Sequence, residues 1–259
     1  MTTFHVPGAD LDVELSDEGG APVVQLHGLT SSRRRDRQLN LDLGTGLHGT
    51  RLLRYDARGH GRSTGRTVPD DYRWTSLADD LLRLLDAWFP GERVHGVGPS
   101  MGAGTLLHAA VRDPGRFSGF TLMLPPTAWD TRAAKAEEYR VAADLVESRG
   151  IGAFVALNRL KPSPPAAKRL PDSLPEVSEA LFPTVFRGAA ASDLPDPEQI
   201  ARIDVPTTLL AWIDDPGHPV STAERLHGLL PHSTLTIAST PADVGTWPGV
   251  LRDDVAHRS

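Results

Sequence analysis

The sequence predicts an α/β fold: a mostly parallel central sheet with helices on both of its faces. Short apolar runs of strand length recur at residues 23–26, 51–55, 94–97, 120–124, 207–213 and 235–237, with helical stretches between most of them. Alternation of this kind gives parallel strands joined by crossovers that cover both sides of the sheet. The second observation is local. At Val94-His95-Gly96-Val97-Gly98-Pro99-Ser100-Met101-Gly102 an apolar strand runs into Gly-x-Ser-x-Gly and on into a helix start of small residues.

The opening pair, Phe4 to Val6 and Leu11 to Leu15, alternates polar and apolar side chains around a Pro7-Gly8 turn, the pattern of an antiparallel hairpin. Residues 75–89 carry the clearest helical spacing, with Leu77, Leu81, Leu84, Leu85 and Trp88 on one face and Asp79, Asp80, Arg83 and Asp86 largely on the other. Residues 94–97 read as a buried strand and residues 105–111 as a helix packed on the sheet. Beyond Pro126 the rhythm fails. An Ala-rich helical stretch, 133–149, leads into a proline-dense segment with Pro162, Pro164, Pro165, Pro171 and Pro175. Phe154, Leu157, Leu181, Phe182, Val185 and Phe186 would give this segment a core of its own. The expected organisation is a core of residues 1–125 and 203–259, with a small helical cap insertion of residues 126–202 over the carboxyl ends of the strands, where open α/β sheets bind ligands.

At 259 residues the chain is long enough for one large domain. Its net charge is −6, with 27 basic and 33 acidic residues spread throughout, which suggests no nucleic-acid or anionic-membrane surface and favours a small-molecule partner. With no cysteine there is no disulfide, thiol nucleophile or thiolate metal site. The start, Met1-Thr2-Thr3-Phe4-His5, lacks the basic and apolar regions of a signal peptide, and no apolar run approaches the ~20 residues of a membrane span, so a cytoplasmic location is expected.

Chemistry points to Ser100. A sharp strand-to-helix turn strains the serine backbone and demands small neighbours, which Gly98 and Gly102 supply. Such a turn exposes the hydroxyl at the sheet edge. The helix that opens at Met101 aims unpaired N–H groups at any anion formed beside Ser100, as acyl transfer requires.

Together with Leu26-His27-Gly28-Leu29, Tyr55-Asp56-Ala57-Arg58-Gly59-His60-Gly61-Arg62-Ser63 and Trp212-Ile213-Asp214-Asp215-Pro216-Gly217-His218-Pro219, the Ser100 turn resembles the α/β-hydrolase superfamily over nearly the whole length. That resemblance implies the α/β-hydrolase fold and a serine nucleophile. It also implies an oxyanion hole made by the backbone N–H groups of Leu29 and Met101. Asp56 to Ser63 is scaffold by the same resemblance, a turn held by its Asp56 and Arg58 side chains. The charged row Arg33-Arg34-Arg35-Asp36-Arg37, near the oxyanion loop, reads as a solvated surface, with contact to an anionic substrate tail as the alternative.

In family members the acid follows the penultimate strand as an aspartate four residues before a proline. Asp215 stands there before Pro219, with Asp214 as its neighbour. The histidine should follow the last strand, but the loop Ala238-Ser239-Thr240-Pro241-Ala242-Asp243-Val244-Gly245-Thr246-Trp247-Pro248 contains none. A serine hydroxyl is a poor nucleophile without a base. Of the ten histidines, His27, His60, His95 and His108 fall in scaffold motifs or packing positions, His227 and His232 flank a helix end on the far side of the last strand, and His257 is near the terminus. His218 alone sits in the acid loop at the edge of the expected pocket. The expectation is a rearranged relay with His218 as base for Ser100, oriented either by Asp215 or by Asp243 from the loop that normally supplies the histidine.

The implied function is hydrolysis of an ester, thioester or lactone-type small molecule through an acyl-enzyme on Ser100, with no metal or organic cofactor. Three alternatives stay open: a ligand-binding relative that has lost turnover, lyase or acyltransferase chemistry on the same fold, and a histidine supplied by a second copy in a dimer. Monomer and homodimer are not distinguished. Pro126, Trp129, Phe154 and Phe186 suggest a mainly apolar pocket.

Overall fold

The computed structural model describes residues 2–168 and 174–256, so Pro171 and His257 lie outside the described residues. The chain opens with β1 (Thr2–Val6) and β2 (Ala9–Asp17), an antiparallel hairpin closed through Gly8 at φ +81°, a backbone region open to glycine. Then come β3 (Ala21–Gln25), α1 (Arg33–Leu39), β4 (Thr50–Tyr55), α2 (Trp74–Trp88), β5 (Val94–Pro99), α3 (Met101–Arg112) and β6 (Phe117–Met123). After α4 (Arg132–Arg149), α5 (Ile151–Arg159), α6 (Phe182–Ala190) and the short α7 (Pro197–Ile200), the chain returns to the sheet. It finishes with β7 (Thr207–Trp212), α8 (Val220–Leu229), β8 (Ser233–Ala238), α9 (Pro241–Val244) and α10 (Trp247–Ala256).

The eight strands form one sheet in the order β1-β2-β4-β3-β5-β6-β7-β8. The β1–β2 and β2–β4 pairs are antiparallel, and every later pairing is parallel. The pleat explains why the inner strands read as unbroken apolar runs. Val24 and Leu53 face the core beneath α2 and α3, whereas their neighbours Val23 and Leu52 face the core beneath α10. Leu77, Leu81, Leu84 and Leu85 of α2 are buried, as their spacing requires.

Between β6 and β7, α4 and α6 pack with Tyr72 around Ala143, Val146, Val177, Phe182, Val185 and Phe186. Phe154 meets the Phe182 and Phe186 rings edge-on, at centroid separations of 4.7 and 5.6 Å. Leu157 is 53% exposed rather than part of that cluster. The flanks of the segment, Ala128, Leu194 and Ile200, belong to the main core.

The charged row around Arg33 is only partly a solvated surface: Arg34 and Arg37 are exposed, whereas Arg33 and Asp36 are buried. Arg33 is buried against Asp12 of β2 and Asp56 just past β4, partners 21 and 23 residues away, while Arg37 binds Asp42 in the following loop at 3.0 Å. Among the described residues, no helix is long and apolar enough to cross a membrane.

Candidate active site

Ser100 occupies the turn between β5 and α3 at φ 52° and ψ −110°, a strained region for any residue with a Cβ. Its N–H donates to the Met123 carbonyl at 3.0 Å, fixing the turn to the neighbouring strand. The flanking glycines are needed for close approach. A Cβ on Gly98 would lie 3.0 Å from the Leu26 Cβ, and one on Gly102 would lie 2.9 Å from it and 3.1 Å from the His27 carbonyl oxygen.

The serine, the histidine and one of the two expected acids come together. Ser100 Oγ lies 2.9 Å from His218 Nε2, and His218 Nδ1 lies 2.8 Å from Asp215 Oδ2. An ionised carboxylate only accepts, so Nδ1 carries the imidazole proton and Nε2 is left to accept the Ser100 hydroxyl. Asp215 also takes the Trp212 indole N–H on Oδ2 at 2.7 Å and the Gly217 N–H on Oδ1 at 2.9 Å. Burial disfavours its charge, but the hydrogen bonds from His218, Trp212 and Gly217 outweigh that and hold the carboxyl well below the usual carboxylate range. Thr127 N–H donates to the Gly217 carbonyl at 3.2 Å, anchoring the acid loop to the chain that leaves β6.

Asp243 is not brought to this chain of hydrogen bonds, which corrects its place in the expected relay. Its Oδ2 accepts the N–H groups of Ser239 at 2.9 Å and Thr240 at 2.8 Å, while its own N–H returns to Thr240 Oγ1. The carboxylate is occupied in capping α9. Asp214 is exposed, at φ 59°.

Leu29 and Ser100 line one cavity, and Met101 begins α3, where an N–H has no acceptor within its own helix. The Gly28 carbonyl accepts His27 Nδ1–H at 2.8 Å and the Ser31 N–H at 3.1 Å. In a trans peptide that carbonyl opposes the Leu29 N–H, so tying down one orients the other. His27 Nε2 accepts from the Ala57 N–H at 2.9 Å, and burial lowers its pKa, keeping the ring neutral. His60, with its ring centroid 5.1 Å from that of His27, is pushed down to about 3 by burial. Both are scaffold. So are Asp56, which accepts from Arg33, and Arg58, which grips Asp80 through two bonds of 2.7 and 2.6 Å.

The cavity above Ser100 measures about 340 Å3. Trp212, His218 and Leu124 line it on the sheet side, and Tyr139, Phe154 and Phe186 on the side of α4 to α6. Phe154 and Phe186 are thus where the sequence suggested. Trp129 is elsewhere: its indole donates to the Pro195 carbonyl at 3.0 Å and its ring lies 4.5 Å from the Arg225 guanidinium. Pro126 is also outside the lining. The site residue that sequence reasoning passed over is Trp212; an indole donor at the carboxyl end of a strand, just before the candidate acid, was the available signal.

The family model described as alpha/beta hydrolase fold matches residues 21–242. Over 235 residues the chain is 28% identical to RutD of a Caulobacter species, provisionally named a carbamate hydrolase, with 83% of this chain and 85% of that protein covered. It is 30% identical over 180 residues to 3-oxoadipate enol-lactonase 1 of Acinetobacter baylyi, covering 67% of this chain and 65% of that one. Among solved structures, a hydrolase from Pseudomonas aeruginosa matches with a TM-score of 0.74 and 25% identity, over 99% of this chain and 97% of the other.

Proposed function

This chain belongs to the alpha/beta hydrolase fold family, and on that premise we propose that it is a serine hydrolase cleaving an ester, thioester or lactone-type small molecule through an acyl-enzyme on Ser100. The observation that carries the reading is the continuous Ser100–His218–Asp215 hydrogen-bond chain, with links of 2.9 and 2.8 Å.

In the proposed reaction Ser100 Oγ attacks the acyl carbon while His218 Nε2 takes the hydroxyl proton. Asp215 holds the imidazole in the Nδ1–H tautomer and stabilises the imidazolium that forms. The negative charge on the former carbonyl oxygen falls to the N–H groups of Leu29 and Met101. His218 then hands its proton to the leaving alcohol, thiol or ring oxygen as the tetrahedral intermediate collapses. Water enters, His218 takes a proton from it, and a second tetrahedral intermediate releases the acid and restores Ser100. The cap role of the 126–202 segment belongs to the same proposal, supported by Tyr139, Phe154 and Phe186 facing the cavity from above.

A ligand-binding relative was suggested by the absent histidine after β8, and the His218–Ser100 hydrogen bond is the observation against it. Transfer to an acceptor other than water would use the same acyl-enzyme, and product analysis separates the two. The proposal is tested with a fluorophosphonate probe on the purified protein, with mass mapping of the adduct. Labelling at Ser100 that is lost in Ser100→Ala and His218→Ala is the expected result. An unlabelled wild-type protein overturns the reading.

A further inference from the structure

The cavity above Ser100 is charged in the opposite sense to the protein around it. The chain carries a net charge of −6, yet Arg35 of α1, Lys135 of α4 and Lys161 beyond α5 all line this cavity, against the carboxyl groups of Asp36 and Glu138. Glu138 is neutralised by Lys135, whose Nζ lies 2.6 Å from Oε2. Asp36 is fully enclosed. Burial pushes its carboxyl up to about 8, so it is mostly protonated at neutral pH. One of its oxygens bonds the Ser31 hydroxyl and the other has no partner. Among the described residues neither Arg35 nor Lys161 has an ion-paired carboxylate, although the Glu176 carboxylate, bound to Arg34, lies near enough to act on the Arg35 charge.

Arg35 differs from the arginines beside it. Arg33, Arg34 and Arg37 are each ion-paired, to Asp56, Glu176 and Asp42 respectively. Arg35 is half-buried, and its Nη1 donates to the backbone carbonyl of Leu174; among the described residues it has no ion-paired carboxylate. Lost hydration at such a guanidinium is recovered when an anion arrives to accept from it. The planar fork of N–H donors suits a carboxylate in particular. Leu39, Leu41, Phe154 and Phe186 supply apolar wall along the same cavity, room for a chain between two polar ends.

We propose that Arg35, assisted by Lys161, is the specificity-determining residue of this site and binds a carboxylate carried by the substrate at the end away from the scissile acyl group. The substrate class is then an ester, thioester or lactone with a free carboxylate, such as a half-ester of a dicarboxylic acid. This rests on the serine-hydrolase reading above.

The test compares p-nitrophenyl half-esters of adipate and suberate with the same compounds capped as methyl esters, using the full chain. The wild-type protein is expected to favour the free carboxylate by about tenfold or more in kcat/KM, mostly through KM, and raised salt should narrow the gap. Arg35→Met should collapse the ratio of charged to capped substrate, Arg35→Lys should keep part of it, and Lys161→Met should lower it to a smaller degree. A merely structural role for Arg35 would lower both substrates in parallel and leave the ratio intact, which overturns the proposal. So does a wild-type protein with equal or reversed preference. Fluorophosphonate labelling run alongside separates the two failures. A labelled Ser100 with no carboxylate preference removes this inference alone, and an unlabelled Ser100 removes the hydrolase reading with it.

Discussion

Asp215 and His218 are joined twice within one turn: the His218 N–H donates to the Asp215 carbonyl at 3.1 Å, and His218 Nδ1 lies 2.8 Å from the Asp215 carboxylate. The proposed acid–base pair is therefore built by a single loop after β7, and only Ser100 has to be brought to it from elsewhere in the fold.

His218→Ala should lower kcat by about 100-fold to 10,000-fold, the usual range for a lost general base, with a far smaller change in KM. Added imidazole should restore part of the rate, because the space left by the side chain opens on the cavity. Steady-state kinetics with and without imidazole checks this, and a variant with wild-type turnover would remove His218 from the relay.

Asp215→Asn should cost about as much as His218→Ala. An amide can donate to Nδ1 and so favour the tautomer that leaves Nε2 protonated toward Ser100. Trp212→Phe removes one donor to the carboxylate, worth roughly 1–3 kcal/mol, and should slow turnover about tenfold without preventing folding. Equal kcat in Trp212→Phe and the wild-type protein would show that the indole does not position the acid.

Asp243→Ala should destabilise the fold by about 1 kcal/mol through loss of the α9 cap, with kcat within about twofold of wild type. Chemical denaturation and kinetics on the same preparation check both halves. A kcat loss of the size seen for Asp215→Asn would return Asp243 to the relay.

Asp36 makes stability depend on pH in the sense opposite to Asp215. Burial pushes its folded pKa up to about 8, whereas an unfolded aspartate titrates near 4. Between those values the folded chain keeps a proton that the unfolded chain has released, so this group's contribution is lost as pH rises from about 4 to about 8. Asp36→Asn, close in shape to the protonated acid, should gain on the wild-type protein across that window. Urea midpoints at pH 5 and pH 8 measure the difference, and a gap that does not change with pH contradicts it.

Gly102→Ala should lower both stability and turnover. The new Cβ has 2.9 Å to the Leu26 Cβ and 3.1 Å to the His27 carbonyl, so either α3 or the Leu26 to Leu29 strand end must move. Overpacking of this kind costs roughly 1–3 kcal/mol, and here the displaced backbone carries the proposed oxyanion donors. Thermal melts and kcat on the same variant check the pairing of the two losses.

The sheet was legible because the inner strands are buried on both faces and leave unbroken apolar runs, and the elbow because its two glycines are demanded by contacts as close as those at Leu26. His218 was legible by position, as the histidine in the expected acid loop. Asp243 was harder: the spacing Thr240-x-x-Asp243 is a capping pattern, but the sequence does not say whether a carboxylate at that spacing turns back on its own helix or reaches across a cleft. Arg33 looked solvated because its partners Asp12 and Asp56 are 21 and 23 residues away, and only the folded sheet brings them together. Trp212 read simply as strand. Its donor role depends on the direction the indole takes at the strand end.

The single loop that carries Asp215 and His218 also sets how the gene can be divided. In the proposed relay every reacting group lies at or before His218, so α8, β8, α9 and α10 are inherited as scaffold alone. A recombination point placed just past Pro219 would carry the whole chemical set in one fragment. The last strand and its helices would then be free to diverge, be exchanged or accept a fused partner as long as the sheet stays covered, Ala238 still accepts the Ile213 N–H and a ring at position 247 still stacks on Trp212.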